Sequence, residues 1–122
     1  MVDLNLNPYL GEIINVFHDE GKIVTAVCHG PVSLTSALYR IDSNYEPYKV
    51  KDFRLGKVKV TTVTRLEENA MLKIGYIRVP VSDPTKLEYF VDDALEEAGY
   101  RVKKGGAVLG LQLWPGYPRV VY

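Results

Sequence analysis

A sharp strand-to-helix turn around the single cysteine constrains this chain more than any other feature. The apolar, β-branched run at residues 22–27 predicts a buried strand, and residues 31–38 predict a helix with proline in its first turn. The motif Cys28-His29-Gly30 lies between them. A turn of this kind exposes a nucleophile at the carboxyl end of a parallel sheet, as in the nucleophile elbow of hydrolases. The sequence therefore predicts an α/β fold that carries a reactive thiol.

The turn also admits a structural interpretation. Helix-start N–H groups near Cys28 would favour its thiolate and could stabilise an oxyanion. The alternative is a small buried cysteine that closes a core strand beside a histidine whose hydrogen bonds are satisfied. Adjacency alone does not place the His29 imidazole on the thiol, because neighbouring side chains usually diverge. The thiol therefore needs partners from elsewhere in the fold.

Helix and strand patterns alternate along the chain, which favours an α/β fold. Asn7 and Pro8 predict the start of a first helix, and Gly21 predicts its end. The buried stripe of this helix is predicted to consist of four apolar residues at helical spacing, namely Leu10, Ile13, Ile14 and Phe17.

The second half continues the alternation. Residues 57–63 alternate as a strand, and a short helix is predicted over residues 67–74. Asp83 and Pro84 predict the start of a longer helix that Gly99 ends. The face of this helix is predicted to be apolar, and short strands are predicted at residues 100–103 and 119–122. The apolar positions are Leu87, Phe90, Val91, Ala94, Leu95 and Ala98.

Composition excludes several classes of protein. Fifteen basic and fifteen acidic residues cancel without a basic run, which argues against a nucleic-acid partner. We find no apolar stretch of about 18 residues and no export signal, so we predict no membrane partner. A single cysteine cannot form an internal disulfide and suits a reducing, cytoplasmic compartment. Cys28 and His29 are too close in sequence for a usual ligand pair, and His18 has no partner motif, so no metal is predicted.

The elbow motif and its flanks resemble a known family. Ala-Val-Cys-His-Gly-Pro after Gly-Lys-Ile-Val is similar to the ThiJ/PfpI superfamily, relatives of the class I glutamine amidotransferases. Residues 1–7, 56–68 and 79–100 resemble the segments around the family's elbow, and their order favours the glyoxalase III and stress-chaperone branch. The resemblance implies that residues 1–122 form one partial domain, the carboxyl-terminal half of the family domain shortened at both ends. The implied fold is a partial flavodoxin-like sandwich with a mostly parallel sheet.

The resemblance also implies site residues. It assigns Cys28 as nucleophile and His29 as its neighbouring base. The acid that orients the imidazole is assigned to Glu68, with Glu67 as the weaker candidate. A carboxylate there would fix the imidazole tautomer and stabilise its cation. The alternative is that two acids at a helix start complement the helix dipole. The backbone N–H of Gly30 is the implied oxyanion donor, and no cofactor is implied.

The implied activity is that of a glutathione-independent glyoxalase III, a lyase of the D-lactate dehydratase type that converts methylglyoxal to lactate through the Cys28 thiolate. The substrate would be a small reactive aldehyde. A homodimer, or a heteromer with a chain that supplies the missing strands, is expected. A non-catalytic chaperone or redox-sensing subunit is the main alternative, and a protein deglycase or a Cys-His-Glu peptidase are others. The shortening at both ends would impair this activity unless another chain supplied the missing half.

Overall fold

The computed structural model describes residues 2–77 and 87–103, and these residues form a mixed α/β structure. The α-helices are α1 (Pro8–Asp19), α2 (Arg65–Lys73) and α3 (Val91–Glu97). The 3₁₀ helices are Val2–Leu4, Gly30–Leu38 and Arg54–Lys57, of which we call Gly30–Leu38 the elbow helix. The strands are β1 (Tyr39–Ile41), β2 (Pro47–Lys49), β3 (Lys59–Val60) and β4 (Arg101–Val102).

The strands form two small sheets. Strands β1 and β2 pair antiparallel as a hairpin, with Arg40 opposite Tyr48. Strands β3 and β4 pair parallel, with Val60 opposite Val102. The α/β class predicted from the sequence is therefore confirmed at this coarse level. Each sheet in the described part of the chain has two strands, so a larger parallel sheet is not seen there.

The ends of α1 form as predicted. The Asn7 side chain accepts hydrogen bonds from the N–H groups of Tyr9 and Leu10, and proline occupies the first turn. At the other end Gly21 has a φ of +67°, which glycine adopts without a steric penalty. The N–H of Lys22 then donates to the Phe17 carbonyl at 2.8 Å, closing the helix in the manner of a Schellman motif.

The buried face of α1 differs from the predicted stripe. Ile14 is buried, but Ile13 and Phe17 are 56% and 40% exposed. The reason is that α1 presents Gly11 to the elbow helix, where a Cβ would overlap the Ser36 carbonyl oxygen. The Asn15 amide on the same face donates to the carbonyl oxygens of Ala37 and Tyr39 at 3.0 and 2.9 Å. This close contact turns Ile13 and Phe17 outward.

The predicted buried strand at residues 22–27 is wrong for the described structure. These residues pair with no strand in it, and Ile23 and Val27 are 65% and 83% exposed. Only Val24 packs against the core. A β-branched run becomes a buried strand only when neighbouring strands cover it, and none of the described strands does so. The helix predicted after the turn does form, but as the 3₁₀ helix Gly30–Leu38.

The later elements are shorter or shifted relative to prediction. Within residues 57–63 only Lys59–Val60 joins a ladder. Helix α2 begins at Arg65, before the predicted start, because Thr64 and Glu67 form a capping box. Helix α3 begins at Val91, whereas Asp83, Pro84 and residues 119–122 lie outside the described residues. Gly99, with a φ of +97°, ends α3 as predicted.

The core lies between the elbow helix and α3. The Tyr100 hydroxyl donates to the Leu34 carbonyl at 2.8 Å, and its ring meets Phe53 edge-on at 5.2 Å. No helix among the described residues is long and apolar enough to cross a membrane. The buried apolar cluster is formed by Ile14, Val32, Leu34, Ala37, Leu55, Val60, Val91, Leu95, Ala98 and Tyr100.

Candidate active site

The turn around Cys28 has an unusual backbone. Cys28 has a φ of +62°, a left-handed conformation that few residues other than glycine adopt. The N–H of Gly30 donates to the Val27 carbonyl at 2.9 Å and closes the turn, and the Thr62 hydroxyl donates to the Cys28 carbonyl at 3.3 Å. Strained residues of this kind cluster at functional sites, and a strained turn is the hallmark of a nucleophile elbow.

This backbone brings the thiol and the imidazole together. The Cys28 Sγ lies 3.3 Å from the His29 Nδ1, although the two residues are neighbours in sequence. In an extended chain their side chains would point to opposite faces, but the left-handed angle at Cys28 turns them to the same side. The cysteine is free and exposed, and His29 is half-buried. The thiol is therefore accessible while its neighbouring base is held in place.

Glu68 approaches the opposite side of the imidazole. Its side chain is 0% exposed, and its Oε1 lies 3.3 Å from the His29 Nε2. Both atoms are buried and neither makes an aligned hydrogen bond with a described residue, so they face each other in a close polar contact. The second carboxyl oxygen, Oε2, accepts the N–H of Val91 at 3.0 Å. The three side chains thus form a line from an exposed thiol to a buried carboxyl group.

The structure gives the two candidate acids, Glu67 and Glu68, different surroundings. Glu67 belongs to the capping box, where its Oε2 accepts the N–H of Thr64 at 2.8 Å and its own N–H donates to the Thr64 hydroxyl. Glu68, one residue later on α2, faces the interior. Glu67 therefore has the helix-start role that the dipole argument described, and only Glu68 reaches the imidazole. The catalytic roles of Cys28, His29 and Glu68 stay predictions.

Burial shifts both titrating groups toward their neutral forms. Burial raises the pKa of the Glu68 carboxyl to about 7, an effect that the Val91 N–H partly opposes. Burial also lowers the pKa of the His29 imidazole. A carboxyl group that changes its protonation near neutral pH therefore lies beside an imidazole that burial holds toward its neutral form. Perturbed groups of this kind mark functional sites more often than ordinary surface groups.

The arrangement suits a thiol activated by a general base. For the Cys28 proton to move to Nδ1 of His29, that nitrogen must carry a lone pair, which places the ring proton on Nε2, facing Glu68. An ionised Glu68 would stabilise this tautomer and the imidazolium that follows. The geometry is that of a nucleophile, a base and an orienting acid.

Gly30 closes the turn but does not carry its unusual backbone angle. The unusual backbone angle lies on Cys28, and a Cβ on Gly30 would meet only the Ala26 Cβ, at an ordinary 3.5 Å. Its N–H is already bonded to the Val27 carbonyl. An oxyanion role for this N–H would require the turn hydrogen bond to open, and that role stays a prediction.

Other polar features lie apart from this line. A cavity of about 490 Å³ is lined by nine residues that include neither Cys28 nor Glu68. His18 lies on its wall, with its Nδ1 3.5 Å from an Asp19 carboxyl oxygen. Within residues 2–77 and 87–103, no group of three or more histidine, cysteine or acidic side chains has a geometry for holding a metal ion. The cavity lining consists of Asn15, His18, Asp19, Ala37, Arg40, Val50, Asp52, Phe53 and Leu55.

Sequence reasoning missed two contributors to the site. The Thr62 hydroxyl supports the Cys28 carbonyl, and the Val91 N–H supports Glu68. No local pattern marks either contact, because both link segments far apart in the chain. The true start of α2 was readable, since Thr64-Arg65-Leu66-Glu67 has the spacing of a capping box. That signal would also have assigned Glu67 to the cap.

The raised pKa of Glu68 predicts a pH-dependent stability. The folded chain retains the Glu68 proton up to about pH 7, whereas an unfolded chain releases it near the ordinary value of 4.5. The stabilising contribution is therefore fully present below about pH 4.5 and is lost as the pH rises through about 7. Between pH 4.5 and pH 8 we expect the unfolding free energy of Glu68→Gln to rise by about 3 kcal/mol relative to that of the unmodified chain.

Urea unfolding of both proteins at several pH values measures this difference. His29 contributes the opposite slope, because its lowered pKa makes folding less favourable as the pH falls. A difference that does not change between pH 4.5 and pH 8 would show that Glu68 titrates normally.

Comparison with known proteins gives no relative from which to transfer a function: no family model, curated protein or solved structure matches the chain.

Proposed function

We propose that the chain is a thiol-dependent catalyst acting on small reactive aldehydes, of the glyoxalase III kind, which converts methylglyoxal to lactate. The observation that carries this proposal is the line from the Cys28 Sγ through the His29 ring to the buried Glu68 Oε1, with a separation of 3.3 Å at each step. We propose further that the chain belongs to the ThiJ/PfpI superfamily and has the fold of a flavodoxin-like sandwich. The positive φ of Cys28 before a helix and the parallel pairing of β3 with β4 support that proposal.

The first step is addition of the thiolate to the aldehyde. His29 takes the Cys28 proton at Nδ1, and the sulfur then forms a bond to the aldehyde carbon of methylglyoxal. The carbonyl oxygen gains the proton, which gives a hemithioacetal. An exposed thiol favours this step because a small aldehyde reaches it without a long channel. The buried side of the site holds the base in place.

The second step moves a proton between two carbons. His29 removes the proton from the carbon bonded to sulfur and returns a proton to the neighbouring ketone carbon, through an enediol. The product is a thioester of lactate on Cys28. Water then cleaves the thioester, releasing lactate and restoring the thiol. Methylglyoxal and one water are consumed for each lactate, so the cycle needs no oxidant, reductant or cofactor.

A chaperone function is the second candidate. It is favoured by the large apolar side chains that the structure exposes near the elbow and on α1. These would bind unfolded segments of other proteins without using the thiol. The most exposed of them in this region are Tyr9, Ile13, Ile23 and Val27.

Product analysis separates the two functions. We expect the purified chain to convert methylglyoxal to lactate one for one without glutathione, and the peptide that contains Cys28 to carry a transient lactoyl group in mass spectrometry. The control is Cys28→Ser, which keeps the shape of the site and should give neither product nor adduct. Suppression of client aggregation that survives Cys28→Ser, without any lactate from the unmodified chain, would favour the chaperone instead.

A further inference from the structure

Two buried carboxyl groups lie between the starts of α2 and α3, and the proposed reaction uses one of them. Glu68 on α2 is 0% exposed, and Asp92 on α3 is 2% exposed. The Oε2 of Glu68 accepts the N–H of Val91, the first residue of α3, at 3.0 Å. In return the Oδ2 of Asp92 accepts the N–H of Arg65, the first residue of α2, in a long hydrogen bond of 3.4 Å. Each helix therefore receives a carboxyl group from the other at its start.

This crossed pair of hydrogen bonds determines where the Glu68 carboxyl lies. Phe90, the residue before α3, makes no side-chain hydrogen bond to the helix start, so Glu68 takes the place of a capping residue. Arg65 begins the turn of α2 that contains Glu68, so the hydrogen bond from its N–H to Asp92 holds that turn against α3. Asp92 thereby helps to hold the Glu68 side chain in reach of the His29 ring.

The charge of Asp92 is more than a helix cap requires. A neutral asparagine or serine caps a helix start about as well, whereas two buried carboxylates oppose each other's ionisation. The nearby Arg65 guanidinium is half exposed and pairs with the adjacent Asp93, so it does not lie buried between the two carboxyl groups. Burial is the main cause of the raised pKa of Glu68, and the negative charge of Asp92 raises that pKa further.

We propose that Asp92 is a positioning residue of the candidate active site, which holds the Glu68 carboxyl at the His29 ring and opposes its ionisation. With Asp92 in place, Glu68 stays protonated under mildly acidic conditions and cannot stabilise the imidazolium. The thiol of Cys28 is then activated only as the pH rises through the ionisation of Glu68. This inference rests on the proposed function for the role of His29 as base, and it adds the group that regulates that role.

Other groups also act on the ionisation of Glu68, and the test must leave them in place. On α2 itself the Arg65 cation favours the ionised carboxyl, whereas the charge of Glu67 opposes it. The titratable and charged groups that face Glu68 from the packed elements are those of His29, Arg65, Glu67, Tyr89 and Asp92. Replacing Asp92 alone therefore isolates its contribution.

Carbon NMR of the Glu68 side-chain carboxyl measures the effect of this charge. Its resonance is assigned by its loss in Glu68→Gln, and its midpoint in the unmodified chain should lie at a pH of about 7. We expect Asp92→Asn to lower this midpoint by about one pH unit, because the amide keeps the shape and an acceptor oxygen but loses the charge. Asp93→Asn is the matched control. It removes the same charge from the next residue of α3, where solvent screens it, and should move the midpoint less than about half as far.

Alkylation of Cys28 by iodoacetamide shows whether the effect reaches the thiol. In the unmodified chain, the rate should rise with pH in a step at the Glu68 midpoint. The step should move with that midpoint in Asp92→Asn and be absent from Glu68→Gln. A merely structural role of Asp92 would change the rate at every pH alike and leave the step where it is.

A Glu68 midpoint that Asp92→Asn leaves unchanged would overturn the proposal, and so would an alkylation step that does not follow the midpoint. If Asp92→Asn fails to fold, the carboxyl resonance of Asp92 in the unmodified chain gives the reciprocal measurement. The ionisation of Glu68 should displace that resonance at the Glu68 midpoint, and the absence of this displacement would equally overturn the proposal. None of these readouts uses an aldehyde, so their failure is distinct from a failure to form lactate.

Discussion

Glu68→Gln is expected to lower kcat for lactate formation from methylglyoxal by about 10²–10⁴, the range typical of a lost acid–base contribution. The amide cannot carry a negative charge, so the imidazolium formed at His29 loses the group that faces its Nε2 at 3.3 Å. An amide N–H pointed at that nitrogen would also favour the wrong tautomer. Since the pKa of Glu68 lies at about 7, the unmodified chain should gain activity as the pH rises through that value, whereas the variant should not.

Glu67→Gln is the matched control for this substitution. Glu67 precedes Glu68 on α2 and has the same side chain, but it caps the helix and does not reach the imidazole. We expect its kcat and pH profile to resemble those of the unmodified chain, with a loss of at most about 1 kcal/mol in stability. Equal activity of the two variants would remove the Glu68 carboxylate from the mechanism.

Gly11→Ala is expected to destabilise the fold by at least about 3 kcal/mol, at the upper end of the cost of overpacking. In an ordinary helix interior this substitution would stabilise by about 0.5–1 kcal/mol. Here the new methyl group would overlap the Ser36 carbonyl oxygen and lie 2.8 Å from that of Tyr39, and backbone cannot rotate away. Helix α1 would have to move off the elbow helix, breaking the Asn15 hydrogen bonds to Ala37 and Tyr39.

Urea unfolding followed by circular dichroism measures this loss, with Ile13→Ala as control. Ile13 lies on the same helix but is 56% exposed, so its truncation should change stability by less than about 0.5 kcal/mol. A Gly11→Ala variant as stable as the unmodified chain would mean that α1 and the elbow helix are not in close contact. The slope of the unfolding free energy against urea should stay constant if only the folded state is strained.

The candidate site could be predicted only in part. The turn motif directed attention to Cys28 and His29, and the resemblance to a family added Glu68. The sequence left Glu67 and Glu68 as alternatives, because both lie in the first turn of the same helix. Which of the two carboxyl groups reaches His29 depends on which side of α2 faces the interior. The packing of α2 against the elbow and α3 sets that side. The hydrogen bond from the Thr62 hydroxyl to the Cys28 carbonyl likewise depends on how distant segments pack together.

The sequence by itself determined where helices begin and end. Asn7 begins α1, and Gly21 and Gly99 end helices as predicted, because caps and turns are made by hydrogen bonds within about four residues. Only the tertiary structure decided which side chains are covered. Residues 22–27 have the composition of a buried strand, yet they lie exposed, because burial requires a neighbouring strand and no local pattern supplies one. In the same way Gly11, by its close contact with the elbow helix, determined which face of α1 is buried.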